Sequence, residues 1–148
     1  KSSPYLRSII INKGSKHKVN LGMVVIDGEY LVGKIVEVNY SSSRVLLLSD
    51  LNSKIPVIVE PNTVISILSG TGKDYGVIQY SKKYEDIKNE SVIYTSGAGS
   101  LFKAGIPIGR MNINNLSDEK KVDFFSDFSQ LKFVKVVSFK KSENKWQC

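Results

Sequence analysis

Apolar and polar positions along this chain alternate in short runs separated by turn-forming clusters, with almost no recurrence at helical spacing. Tyr5–Ile11, Met23–Ile26, Tyr30–Val38 and Arg44–Asp50 read as strands, the last a near-continuous apolar run suited to burial on both faces. Asp27-Gly28 supplies a hairpin turn of the kind that needs positive φ. Gly33, inside the third run, predicts a bulge or a close approach of another backbone. Ile55–Glu60, Thr63–Leu68, Tyr75–Tyr80, Val92–Tyr94, Ile106–Ile113, Val122–Phe125 and Phe133–Phe139 continue the series. Pro56 places its strand at a sheet edge or at a strand start. One short helical turn is expected over Asp127–Leu131, with Asp127 as its N-cap. The polar stretch Ser81–Glu90 has Tyr84 and Ile87 as its inward anchors. This pattern predicts an all-β barrel or sandwich with few or no helices. One sandwich or two small barrels fit the length equally well.

The stretch Thr95–Gly109 breaks the rhythm. It holds Gly97, Gly99, Gly105, Gly109 and Pro107 within fifteen residues, between two apolar runs. So many glycines exclude a regular helix and interrupt a strand. A tight loop between strands is expected, held against the body by Leu101 and Phe102. Phosphate binding is not supported, because turn and strand follow Gly99 where a helix N-terminus would be needed. Gly70-Thr71-Gly72-Lys73-Asp74 also fails the phosphate-loop pattern, lacking its first glycine and carrying Asp where a magnesium-binding Ser or Thr belongs. A nucleophilic Ser96 or Ser100 would need a base in reach. The single histidine, His17, lies in the basic turn Lys13–Lys18, where neighbouring lysines lower its pKa. The four glycines are therefore expected to set a structural corner.

A formal charge of +7 changes the picture little, since the lysines fall in scattered pairs. Aromatic residues do not interleave with them as in nucleic-acid binders, so solvation of the surface is the first reading and attraction to an anionic membrane or wall polymer the second. The one cysteine, Cys148, allows neither an internal disulfide nor a zinc site. No metal or other cofactor is expected. No apolar run is long enough to span a membrane. A first residue of Lys points to a piece of a longer protein. Tyr75, Ile78, Tyr80 and Tyr84, in a section with polar flanks, form the candidate partner-binding surface, because exposed aromatics are common interface anchors. Ordinary half-buried strand residues are the alternative.

Several motifs in fixed order then resemble one family. They are Gly22-Met23-Val24-Val25, Leu31-Val32-Gly33-Lys34-Ile35, Ser43 to Asp50, Ile55-Pro56-Val57, Thr95-Ser96-Gly97, and Phe102 with Gly105 to Gly109. Together they are similar to the extracytoplasmic β domain of the bacterial cell-shape-determining MreC family, from about Ile9 to Val137. Asn89-Glu90, where the family often has Gly-Asp, and Lys103, where it usually has Pro, depart from the pattern at turns. The resemblance implies two small β barrels packed together. As a division, 20–73 would form one, 5–19 with 74–140 the other, and 141–148 a tail. It also implies a transmembrane helix and a coiled coil upstream of this stretch, and a location on the periplasmic face of the inner membrane. The implied role is a non-catalytic scaffold for wall synthesis that contacts a class B penicillin-binding protein, MreD and the MreB system, and self-associates as a dimer or filament. Nucleic acid is not an expected partner. A periplasmic serine hydrolase using Ser96 or Ser100, or a wall-binding module, is the competing class.

Overall fold

A computed structural model of the chain describes residues 7–79, 87–97, 103–113 and 119–138. Among these residues the chain forms eleven strands and one 3-10 turn, Ser15–His17. The all-β reading holds. The strands are β1 (Ser8–Ile11), β2 (Val24–Asp27), β3 (Tyr30–Val38), β4 (Ser43–Leu47), β5 (Lys54–Glu60), β6 (Val64–Gly70), β7 (Tyr75–Gln79), β8 (Val92–Thr95), β9 (Pro107–Ile113), β10 (Lys120–Phe124) and β11 (Lys135–Val137).

Strands β5 to β10 close into a six-stranded barrel in the order β10-β7-β6-β5-β8-β9, every ladder antiparallel. Alternation decides which side chains fill it. Ile55, Val57 and Val59 of β5 point inward, and on β6 Val64 and Leu68 are buried while Ile65 faces out. They meet Ile78, Ile93, Ile108, Met111 and Val122 in one core. Fully burying each such side chain stabilises the fold by roughly 1.5–3 kcal/mol before entropy is counted.

The remaining strands form a five-stranded antiparallel sheet, β1-β4-β3-β2-β11. One face buries Val25, Val32, Ile35, Val45 and Leu47 in a second cluster, with Ile9, Ile11, Val134 and Val136 packed against it. Val24, Leu31 and Leu48 join the barrel's core, so the sheet lies against the barrel. The link between the two is fixed at Asp50. Its buried carboxylate accepts the Arg7 amide (2.6 Å), the Asn52 amide (2.8 Å) and the Asn52 side-chain amide (3.0 Å).

Four expectations change. Pairing takes β5 and β6 into the barrel, because β5 ladders with β8 (Val57 opposite Thr95) and β6 with β7; the expected division at 73 had grouped them with β2 to β4. The second unit, expected as a barrel, is a five-stranded sheet among the described residues. Pro56 lies in a strand paired on both sides rather than at an edge; the other expected place, a strand start, holds toward β8, whose ladder begins one residue later, so the missing N–H takes no bond from that ladder. Asp127 caps no helix. Its carboxylate accepts the amide and hydroxyl of Ser129 (3.0 and 2.6 Å) in an Asx turn, closed by the Gln130 amide on the Asp127 carbonyl (3.1 Å).

Candidate interaction surfaces

The glycine loop is organised by the residue that precedes it. Thr95 ends β8 fully buried, and its hydroxyl donates to the Lys103 carbonyl and accepts the Ile106 amide (2.9 Å). The Thr95 amide bonds to the Ile106 carbonyl (3.0 Å), and the Gly105 amide bonds to the Thr95 carbonyl (2.9 Å). One β-branched hydroxyl residue thus clamps the two ends of the loop together. Gly105 sits at φ +88 in open space, and Gly97 at φ +77 against the Ala104 methyl. Gly109 has a different reason to be glycine: a Cβ there would overlap the Asp123 carbonyl oxygen across the β9–β10 ladder. Gly99, with Ser100, Leu101 and Phe102, lies outside the described residues. The sequence singled out the glycines and missed Thr95 as their clamp; a hydroxyl at the last apolar position before a glycine run was the available signal.

The expected aromatic surface is partly dismantled. Ile78 is 1% exposed and belongs to the barrel core, so it offers nothing to a partner. It had been grouped with its neighbours by proximity in sequence, but β7 alternates and turns it inward. Tyr75 is half-buried, with the Lys121 ammonium 4.2 Å from its ring centroid. Tyr80 and Tyr84 lie outside the described residues. Ile87 is buried, as an inward anchor should be.

A second surface went unnoticed in the sequence. A groove of about 830 Å³ runs between β1 and β11, the two outer strands of the five-stranded sheet. Ile9, Ile11, Val134 and Val136 line it, with Ile10 and Phe133 among its exposed side chains (54% and 87%). Its charged lining is Lys13, Lys132 and Lys135, together with His17. His17 Nδ1 accepts the Gly14 amide (3.0 Å), and burial, then Lys13 and Lys16, lowers its pKa below the ordinary 6.5. Ser129 also lines the groove, but its hydroxyl donates to Asp127, so no serine–imidazole hydrogen bond is made there. Among the described residues no three His, Cys, Asp or Glu side chains cluster as metal ligands would, and no helix is long and apolar enough to cross a membrane. The groove's described lining is apolar and basic.

A family profile described as rod shape-determining protein MreC, barrel core, matches residues 1–138. The cell shape-determining protein MreC of Cereibacter sphaeroides is 30% identical over 135 residues, covering 91% of this chain and 45% of the relative. The chain thus spans less than half the length of that relative. The crystal structure of MreC from Pseudomonas aeruginosa superposes with a TM-score of 0.79 at 30% identity, covering 88% of each chain. A chain from a complex between penicillin-binding protein PBP2 and MreC of Helicobacter pylori has a TM-score of 0.68 at 17% identity, covering 88% of this chain and 86% of that one, a likeness of fold.

Proposed function

The chain belongs to the rod shape-determining MreC family, and from that premise we propose that it acts as a non-catalytic scaffold of cell elongation that binds a class B penicillin-binding protein outside the cytoplasm. The observation that carries this reading is the shared fold with a chain from the complex of a penicillin-binding protein with MreC. Surface character agrees with it. The groove between β1 and β11 is apolar and basic, and Ser129 and His17 within it are each bonded elsewhere. Tyr75 is the part of the expected aromatic surface that this reading keeps, since a ring held under a lysine is a preformed contact. Contacts with MreD and the MreB system, self-association, and attachment through an upstream membrane segment belong to the same proposal and rest on family membership.

The test is calorimetry of the purified chain with the extracytoplasmic part of a class B penicillin-binding protein. Saturable binding that is weakened by surface substitutions, and left intact by an active-site inhibitor of the partner, supports the scaffold. Absence of binding by calorimetry and by co-elution would sink it. Light scattering across concentration checks self-association separately.

A further inference from the structure

The five-stranded sheet has an odd number of antiparallel strands, and this has a geometric consequence. Taken in order, β1, β4, β3, β2 and β11 alternate in direction, so β1 and β11 run the same way. They face one groove yet form no ladder with each other. A single strand running opposite to both would be antiparallel to each and would complete six strands, the number the neighbouring barrel reaches with its own chain.

On the β1 side the backbone is set for this. The Arg7 carbonyl accepts the Leu47 amide (3.1 Å), and bonding alternates along an antiparallel ladder. Ile9 and Ile11 therefore direct their amide and carbonyl groups at β4, while those of Ser8 and Ile10 face away from it. Beneath the seam Ile9, Ile11, Val134 and Val136 present an apolar floor that packs on the sheet's core. Around it stand Lys13, Lys132 and Lys135, with no carboxylate among the described lining residues.

We propose that the seam between β1 and β11 is a strand-addition site for an extended segment of a partner protein in which apolar residues alternate with acidic ones. Apolar side chains on one face of the added strand meet the floor, and carboxylates on the other meet the lysines. Backbone pairing with β1 and β11 supplies affinity, and the side-chain pattern supplies selectivity. Charge disfavours a second copy of this chain as the occupant, because seam against seam would bring lysines together. The inference stands on the sheet's geometry and does not depend on which protein the scaffold recruits.

A fluorescein-labelled eight-residue peptide alternating valine and glutamate, titrated against the 148-residue chain by anisotropy, tests it. Saturable binding is expected, weakened about tenfold by Lys132→Glu with Lys135→Glu, as two charge-assisted contacts imply. Binding should also vanish when alternate peptide amides are N-methylated or glutamates are replaced by lysines. Ile10→Pro, which removes a seam-facing amide from an edge position without touching a bond to β4, should weaken it with little loss of stability. Equal affinity for the N-methylated peptide, or no binding of the acidic peptide at millimolar concentration, overturns the proposal. So does peptide-sensitive dimerisation of the chain through the seam, or binding seen only after residues 139–148 are removed.

Discussion

Thr95→Val isolates the clamp of the glycine loop. Valine keeps the shape and the β-branch and removes one hydroxyl, which in the fold serves the Lys103 carbonyl and the Ile106 amide at once. Lys103 is exposed, so its carbonyl can turn to water; the Ile106 amide is half-buried and loses its hydroxyl acceptor in a fully buried setting around Thr95. An unmet amide of this kind costs about 1–3 kcal/mol, and the added methyl returns a fraction of that. A net loss of roughly 2 kcal/mol is expected. Thr95→Ser is the control, since it keeps both bonds and gives up one methyl for about 1 kcal/mol. In urea unfolding followed by circular dichroism, the valine variant should show the lower midpoint with an unchanged m value. For a chain of this size the corresponding fall in Tm is roughly 4–8 °C. If serine proves more damaging than valine, or valine matches the wild type, packing holds the loop and the hydrogen-bond argument is wrong.

The two glycines that act for different reasons should separate in the same assay. Gly105→Ala costs about 1–2 kcal/mol from its left-handed backbone alone, whereas Gly109→Ala costs about 2–3 kcal/mol because the Asp123 carbonyl must move; the reverse order would refute the contact. Folding should weaken in mild acid through His17. Its folded pKa is lowered, so the unfolded chain takes up a proton first, and stability falls as pH drops from about 6.5 toward the folded value. His17→Asn, whose side-chain oxygen can still accept the Gly14 amide, should flatten that part of the pH–stability curve. Tyr75→Ala should cost roughly 1–3 kcal/mol of stability, from its half-buried ring and the lysine over it, and lower affinity for a penicillin-binding partner several-fold in calorimetry under conditions where the variant is folded; unchanged affinity removes Tyr75 from the interface.

Local pattern was legible in the sequence wherever one residue type has one physical use. The run Tyr30–Val38 is observed with those bounds, Asp27-Gly28 opens the turn between β2 and β3 with Gly28 at φ +65, and a Cβ on Gly33 would overlap the Leu46 carbonyl. Long-range pairing was not legible. Nothing in Ile55–Glu60 says that it pairs with Val92–Thr95 rather than with a nearer strand, and so the division at 73 was misplaced. The faces of short strands were also hard to assign: Ile78 looked surface-bound beside its tyrosines, and only the pairing of β7 with β6 and β10 turns it inward. The groove escaped notice for the same reason, since its walls are about 120 residues apart in the chain and neither carries a motif.

The barrel's strands are contiguous in the chain, from Lys54 to Phe124, whereas the sheet needs β11, which comes after all of them. On a ribosome the barrel's six strands therefore all emerge before the sheet's last strand does, and that sheet waits one strand short with Val25 and Val136 unmated. A nascent chain halted once Phe124 has emerged would carry a completed barrel beside an unfinished sheet, and that sheet's edge is where a chaperone, or a misplaced neighbour, would first take hold.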